Sequence, residues 1–370
     1  MNRKSTLLPV AMTIGFAIVT LFVAVDAAAR EYLVTAAKPN FVVVVDAAAR
    51  KVERTIPIPN TTMGNSPTAI AVSKDGKRAY VIHNAWKSVS GLDLQTGEEV
   101  FRADLSDANM RAMATYGIDL SPDGKELSVF VVPVRMLPGS YKVEETYIAV
   151  FDTAAGKQAT PLRKMLAPRG TTVLAYAPDG KTLYSFNGDW TTWDVKSGTQ
   201  TGKITFLNRE RENYGKPDTL ALWPQWEQSN IFATPYYQTR TDLKEGDPGY
   251  SKAGIMTFDL VTREQSYKDF EDASVVLFSS VVNPIRRNEV YTVYTQLTAT
   301  DIKTGKIIKR LDLDHTFYNV NVSSDGKEIY IGGTQNDIVV YDSSNFKKLA
   351  NIKLPTGDQV LSSLRIVDRK

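Results

Sequence analysis

Seven aspartates divide this chain of 370 residues at nearly regular intervals. Each follows a short apolar run, as in VVVVDAAAR, AVFDTAAGK and TATDIKTGK, and each opens a turn-like stretch. The intervals are 47, 59, 42, 65, 42 and 41 residues, and the aspartates are Asp46, Asp93, Asp152, Asp194, Asp259, Asp301 and Asp342. A repeat of about 42 residues is typical of architectures in which every repeat forms one small sheet.

A second marker lies upstream of these aspartates, where apolar alternation is interrupted by an Asp-Gly turn. Asp-Gly between alternating apolar runs predicts a β-hairpin. Clear copies occupy residues 68–82, 117–130, 173–186 and 320–332, and degenerate copies occupy 219–234 and 278–294. The third strand of each repeat then ends at the aspartate, whose carboxylate can accept backbone N–H bonds in the turn. We therefore interpret the seven aspartates as structural.

Four strands per repeat and seven repeats predict an all-β fold, a seven-bladed β-propeller with four-stranded blades, over residues 30–370. The first repeat begins with REYLVTAA and lacks an innermost strand. The C-terminal stretch VLSSLRIVD (360–368) has the apolar character of that missing strand. We expect this C-terminal strand to complete the first blade, which would remove exposed sheet edges.

The first 29 residues read as a secretory signal peptide. Arg3 and Lys4 precede an apolar stretch over 7–25, and Ala27, Ala28 and Ala29 follow it. Basic, apolar and small-residue regions in that order are typical of export signals. An uncleaved membrane anchor is the alternative, because the apolar stretch is nearly long enough to span a bilayer. Either interpretation places the folded part in the periplasm.

Three long insertions fall on the same side of the predicted up-and-down blades: 133–146, 207–216 and 236–253. Long loops in compact domains often carry function. Aromatic and histidine side chains are predicted on that side, and an exposed aromatic group with a polar rim is typical of an interface. The candidate partner or cavity residues are Tyr116, Tyr236, Tyr237, His315, Phe317 and Tyr318. Packing between blades is the alternative use for these rings.

Composition excludes several kinds of chemistry. The chain has no cysteine, which excludes thiolate metal sites, cysteine nucleophiles and haem attached through C-x-x-C-H within this chain. Its 44 basic and 41 acidic residues form no basic stripe, so nucleic acid is not an expected partner. Phosphate-binding loops, G-x-S-x-G and H-E-x-x-H are also missing from the sequence.

The remaining polar groups do not assemble into a predicted catalytic site. His83 and His315 are the only histidines, and two cannot supply three metal ligands. The acidic stretch with Asp242, Glu245 and Asp247 could bind Ca²⁺, although a solvated loop explains it better. The adjacent Glu144 and Glu145 would diverge from each other. Four tryptophans are expected in blade packing: Trp190, Trp193, Trp223 and Trp226.

Four stretches carry a resemblance to a known family. They are REYLVTAAKPNFVVVVD (30–46), GIDLSPDGKELSVFVVPVRM (117–136), KPDTLALWPQWEQSNIFATPYYQTRTDL (216–243) and HTFYNVNVSSDGKEIYIGGTQNDIVVYD (315–342). Across these stretches the chain resembles the β subunit of quinohemoprotein amine dehydrogenases, within the YVTN-type propellers. The hairpins are shared by many propellers, whereas ATPYY and HTFYNVNVS are the more specific parts.

The resemblance implies a periplasmic heterotrimer that oxidises primary amines to aldehydes and ammonia. A dihaem cytochrome c α subunit and a small γ subunit with cysteine tryptophylquinone would be the partners, and the propeller would bind γ and help enclose the quinone. No catalytic, cofactor-binding or metal-binding residue of this chain follows from the resemblance. A free-standing periplasmic propeller that binds a ligand or a protein is the alternative. A propeller enzyme acting alone would need a catalytic group that the sequence does not contain.

Overall fold

The computed structural model describes residues 30–61, 66–273 and 276–369. The predicted signal peptide, residues 1–29, lies outside the described residues. Within the described ranges the regular structure is β, apart from one turn of 3-10 helix at Gly156–Gln158. No helix in these ranges is long and apolar enough to cross a membrane.

The strands of the described residues form seven antiparallel sheets, the first four of which cover the N-terminal half. The first sheet contains β1 (Arg30–Ala37), β2 (Phe41–Asp46), β3 (Lys51–Pro57) and the C-terminal β28 (Arg365–Arg369). The second contains β4 (Ile70–Val72), β5 (Arg78–His83), β6 (Ser88–Asp93) and β7 (Glu99–Asp104). The third contains β8 (Met110–Leu120), β9 (Glu126–Leu137), β10 (Ser140–Val143), β11 (Tyr147–Asp152) and β12 (Arg163–Leu166). The fourth contains β13 (Val173–Tyr176), β14 (Thr182–Phe186), β15 (Trp190–Asp194) and β16 (Gln200–Ile204).

The other three sheets follow in chain order. The fifth contains β17 (Ile231–Thr239), β18 (Ser251–Asp259) and β19 (Gln265–Asp272). The sixth contains β20 (Leu277–Val282), β21 (Glu289–Tyr294), β22 (Gln296–Asp301) and β23 (Lys306–Asp312). The seventh contains β24 (Phe317–Val322), β25 (Glu328–Gly333), β26 (Asp337–Asp342) and β27 (Lys348–Lys353).

The periodic aspartates are confirmed as turn residues. Each one is the last residue of the third strand position in its sheet. Each carboxylate accepts the backbone N–H of a residue two or three positions later, as at Asp301, which receives Lys303 at 2.8 Å and Thr304 at 2.9 Å. The same arrangement occurs at the other six: Asp46, Asp93, Asp152, Asp194, Asp259 and Asp342. These hydrogen bonds satisfy turn N–H groups that would otherwise need water.

The C-terminal strand completes the first sheet, as the sequence predicts. β28 runs antiparallel to β1, with Leu33 opposite Ile366 and Tyr32 opposite Val367. The strand begins at Arg365, later than the predicted residue 360. The first sheet is therefore formed by the two ends of the described chain.

The fifth sheet departs from the predicted hairpin over 219–234. Its innermost position is taken by an irregular stretch, residues 219–230, which we call the axial segment. Pro224 cannot donate a ladder hydrogen bond, which disfavours a strand there. The segment instead reaches the first and seventh sheets. Gln228 Nε2 donates to Ile366 O at 3.1 Å, and Asn321 Nδ2 donates to Gln225 Oε1 at 3.3 Å.

Apolar packing connects the sheets in sequence order. Seven buried clusters each join two consecutive sheets of the described chain. One of them joins the seventh sheet to the first, where Tyr330 and Ile338 pack with Leu33, Val43 and Ile366. Burial of such surfaces stabilises the fold by about 25 cal/mol per Å². Each sheet thus has a packed neighbour on both faces.

Candidate functional site

The three predicted insertions share one end of the molecule. Strands alternate in direction within each sheet, so the links between sheets and the turns between second and third strand positions lie together. We call this the insertion end. Residues 207–216 lie along the loop between β17 and β18, since Gly215 N donates to Thr239 O at 2.9 Å and Thr241 N to Asn213 O at 3.0 Å. Tyr214 packs against the guanidinium of Arg211, at 3.6 Å from the ring centroid.

The six predicted candidate residues divide into two groups. Tyr116, Tyr237, His315 and Tyr318 are partly buried. Tyr236 and Phe317 are each only 1% exposed, so their rings are interior packing and do not form part of the exposed surface. Tyr236 donates its hydroxyl hydrogen to Asp269, and Phe317 lies under the His315 ring at 3.9 Å between centroids.

Tyr318 belongs to a stacked group of four rings at the insertion end, which we call the aromatic cluster: Trp223, Phe278, Tyr294 and Tyr318. Phe278 lies 4.2 Å from Tyr294 and 4.7 Å from Tyr318, between ring centroids. Trp223 stacks almost parallel to Phe278, with 5.8 Å between centroids and 7° between planes. Offset and tilted ring contacts of this kind stabilise a pair by about 0.5–1.5 kcal/mol beyond burial.

β-Bulges place two of these rings. Phe278 is the extra residue between the paired positions Leu277 and Ser279 of β20. Tyr318 is the extra residue between Phe317 and Asn319 of β24. A bulge turns its extra side chain away from the regular alternation. The sixth and seventh sheets therefore present equivalent rings toward each other.

The other two rings come from different structures. Tyr294 is the last residue of β21, and Trp223 is held by the axial segment, where its Nε1 donates to Val360 O at 2.8 Å. Tyr116 lies at a comparable irregularity in β8, between the paired residues Ala114 and Ile118. Sequence reasoning did not select Phe278 or Tyr294. Phe278 could have been found from a pattern in the sequence: an aromatic residue stands at the predicted start of the first strand in the third, sixth and seventh repeats.

Two exposed apolar residues adjoin the aromatic cluster: Leu220 lines the same small pocket as Trp223 and Phe278, and Val276 precedes Phe278 by two residues. Leu220 is 39% exposed and Val276 is 48% exposed, and Phe278, Tyr294 and Tyr318 are partly exposed. Tyr237 borders the same surface and its hydroxyl donates to Leu277 O at 3.2 Å. Burial raises the pKa of Tyr237 to about 12, so its phenol is neutral at physiological pH. Together these side chains form a mainly apolar surface, which suits recognition by burial.

Both histidines are held by neighbouring side chains. His83 is fully buried, with Nε2 2.8 Å from Ser90 Oγ and Nδ1 3.1 Å from Thr61 Oγ1. Burial, with a contribution from the positive charge of Arg102, lowers the pKa of His83 to about 4, so it is neutral at pH 7. His315 Nε2 lies 3.4 Å from the buried Asp337 Oδ1. Across the described ranges, no group of three or more His, Asp or Glu residues could hold a metal ion.

Three of the acidic residues that the sequence analysis considered form ion pairs or accept a backbone hydrogen bond. Asp242 forms an ion pair with Arg240, and Asp247 accepts the N–H of Lys244 at 2.9 Å. Glu144 lies 2.7 Å from Arg135 Nε. These contacts stabilise the turns of the insertions.

Comparisons with known proteins support the fold. No family model matches the chain, and no curated protein matches its sequence. Among solved structures, the chain is similar to one titled hydrazine synthase from Kuenenia stuttgartiensis. The TM-score is 0.56 and the identity 17%, covering 86% of this chain and 90% of that chain. At this identity the likeness concerns the fold alone: this chain has an all-β, β-propeller-like architecture built from small antiparallel sheets.

Proposed function

We propose that the seven sheets are the blades of a closed seven-bladed β-propeller and that this propeller is a non-catalytic subunit of a periplasmic quinohemoprotein amine dehydrogenase. In that complex it binds the small quinone-bearing γ subunit and helps enclose the cavity in which a primary amine is oxidised to an aldehyde and ammonia. The seven clusters between consecutive sheets support the closed ring. The family resemblance supports the activity.

The aromatic cluster is the observation that carries the assignment. It forms a partly exposed apolar surface at the insertion end, extended by Leu220 and Val276. Aromatic side chains surrounded by polar loops are typical of the central part of a protein interface. The surrounding loops include 207–216 and the link between β17 and β18. A partner that covers this surface would also wall a cavity with aromatic rings.

The chemistry is assigned to the partner chains because of composition. The quinone of this family is made from cysteine and tryptophan, and its haems are attached through cysteines. This chain has no cysteine. The quinone-bearing γ subunit and the dihaem cytochrome c α subunit would therefore carry the redox groups, and the propeller would supply shape and an apolar wall.

A pair of matched surface substitutions tests the proposed docking surface. Val276→Glu introduces a charge beside the aromatic cluster, whereas Val261→Glu introduces the same charge at a 63% exposed site in the turn after Asp259, at the opposite end. A buried unpaired charge weakens an interface strongly. We expect Val276→Glu to reduce co-purification of the small subunit from the native host about tenfold or more. Val261→Glu should leave it unchanged.

Equal recovery of the small subunit with both variants would contradict the docking surface. Thermal melting of each variant controls for folding, because both sites are exposed and neither change should alter the core. Mass spectrometry of the purified complex identifies the partners. A complex without a quinone-bearing subunit would contradict the amine dehydrogenase assignment itself.

A second variant tests the insertion loops. Residues 240–250 connect β17 and β18 and can be replaced by a short Gly-containing turn without removing either strand. The proposal predicts that this replacement abolishes co-purification of the small subunit while the melting temperature changes little, because the loop is largely exposed. Intact assembly would show that the loop is not part of the docking site.

A free-standing ligand-binding propeller is the alternative function, and an open cavity at the axis of the sheets favours it. Neighbouring genes distinguish the two. Genes for a dihaem cytochrome and a small cysteine-containing protein beside this one favour the dehydrogenase, and their absence favours the free-standing module.

A further inference from the structure

A cavity of about 370 Å³ lies on the axis at the end of the molecule opposite the aromatic cluster. Its walls come from the innermost strands of four sheets, together with the axial segment and Ser324. Val72 ends β4, Leu120 ends β8 and Tyr176 ends β13, while Ile366 lies on β28. We call it the axial cavity. Its volume falls in the range of small-molecule sites, about 300–1,000 Å³.

The cavity combines apolar walls with few charged groups. Leu120, Val367 and Trp226 supply the apolar part. Its charged residues are Lys74, Asp119, Glu227 and Asp368. Three carboxylates against one lysine, which lies exposed at the rim, give the cavity negative character. Apolar walls with a small number of placed charges are typical of sites that bind organic ligands.

Asp119 is the partly buried carboxylate of the cavity that has no cationic partner among the described residues. Its Oδ1 accepts Leu120 N at 2.9 Å and its Oδ2 accepts Tyr176 N at 2.7 Å. These two bonds fix it between the third and fourth sheets. In the part of the chain that the structure describes, no Lys, Arg or His forms an ion pair with it. A partly buried carboxylate in this state is poorly solvated and gains from a mobile cation.

The nearest fixed cation is already occupied. Arg365 donates from Nε to Ile70 O at 3.0 Å and forms an ion pair with Glu227. Its guanidinium also lies over one face of Trp226, 5.2 Å from the ring centroid. These contacts pair Arg365 with Glu227. Because Glu227 is paired with Arg365 and Asp368 is exposed to solvent, Asp119 supplies the unpaired negative charge in the interior of the cavity.

We propose that the axial cavity binds a small organic ammonium ion, with the ammonium on the Asp119 carboxylate and the apolar part against Leu120, Val367 and Trp226. This site is separate from the docking surface, because the axial segment lies between the two: Gln225 is fully buried and Trp223 is buried on the other side. The proposal therefore does not depend on the proposed enzyme complex.

Calorimetric titration of the purified chain with n-butylammonium at pH 8 tests the site, with n-butanol as the neutral comparison. We expect saturable binding of one ammonium per chain and none of the alcohol. Asp119→Asn should weaken the affinity about tenfold or more, since it removes the charge. Asp179→Asn, a turn aspartate outside the cavity whose Oδ1 accepts Lys181 N at 2.9 Å, should bind like the unchanged protein.

A second variant keeps the proposal falsifiable if Asp119→Asn folds poorly. Ser324 is exposed at the mouth of the cavity, so Ser324→Trp fills the opening without entering the core. It should reduce n-butylammonium binding about tenfold or more while the melting temperature stays the same. Absence of saturable binding to the unchanged protein would overturn the proposal, as would an affinity in both cavity variants equal to that of the unchanged protein. So would equal binding of n-butanol.

Discussion

Phe278 and Tyr318 show how one extra residue in a strand changes what a sheet presents. In a regular strand their rings would follow the alternation between the two faces of the sheet. As bulge residues they meet each other and Tyr294 at the insertion end. At the scale of single residues, the candidate surface is therefore a product of local departures from regular pairing.

Gly254 shows a similar dependence on one residue. It lies at a register shift of β18, and a Cβ there would be 2.4 Å from the Tyr236 ring and 2.5 Å from Lys268 O. Because the backbone oxygen cannot move cheaply, Gly254→Ala should destabilise the fold by about 1–3 kcal/mol in urea denaturation. Gly215→Ala is the matched control, since its Cβ would meet Thr239 at 3.6 Å. Equal stability of the two variants would contradict this close packing.

Asp119 should make stability depend on pH. Burial is the main reason why the pKa of Asp119 is raised to about 7, and the negative charge of Glu227 raises this pKa as well. The hydrogen bond that Asp119 accepts from Tyr176 N acts in the opposite direction. Arg365 lowers this pKa, and Lys74 and Asp368 also face the cavity. The folded protein thus holds this proton more tightly than the unfolded chain, whose Asp has the ordinary value of 3.8.

The direction of the pH effect on stability follows from this difference between the folded and unfolded pKa values. Between about pH 4 and pH 7 the contribution of Asp119 to stability should fall as pH rises, by at most about 1.4 kcal/mol per pH unit. Urea denaturation of the unchanged protein and Asp119→Asn over this range measures it. The free energy of unfolding of the unchanged protein minus that of Asp119→Asn should decrease as the pH rises. Parallel profiles would show that Asp119 titrates normally.

At the scale of elements, β28 is the strand whose loss matters most. Ile366 packs with Leu33 and Tyr330 between the first and seventh sheets, and Arg365 is bonded to Ile70 of the second. Deletion of residues 358–370 should lower the free energy of unfolding on the order of 5 kcal/mol or more, because it exposes both neighbouring sheets. Thermal melting checks this.

A milder pair of substitutions separates packing from chain length. Ile366→Ser removes a buried side chain of β28, whereas Asp368→Ser changes an exposed one on the same strand. We expect a clear drop in melting temperature for the first and little change for the second. Equal melting temperatures for the deleted and full-length chains would refute the closure of the first sheet.

At the scale of the whole molecule, the two ends should act independently. Ser324→Trp should block n-butylammonium binding without reducing recovery of the small subunit, and Val276→Glu should do the reverse. The axial segment separates the two sites, so distant substitutions should not couple. Titration and co-purification of both variants measure this. Loss of both functions in either variant would contradict the independence.

The repeat made most of this architecture predictable. Strand ends at all seven aspartates and the pairing of β28 with β1 follow from local turn chemistry and from counting strands. The axial segment did not follow, because the alternation around Trp223 resembles a strand and only Pro224 argues against it. Of the four rings in the aromatic cluster, only Tyr318 was a predicted surface candidate, because bulges cannot be located from apolar alternation. Asp119 was missed because its burial depends on how the third and fourth sheets pack together, which local sequence does not reveal.

The order in which the chain is made has a consequence for the first sheet. Its innermost strand consists of residues 365–369, which are synthesised after every other strand of the described residues. Until they emerge, β1 has an unpaired edge and the seventh sheet has an uncovered apolar face. A fragment that lacks residues 365–369 cannot complete the first sheet, so this sheet can form only after the other six sheets have been synthesised, and a chaperone has a well-defined edge to protect until then.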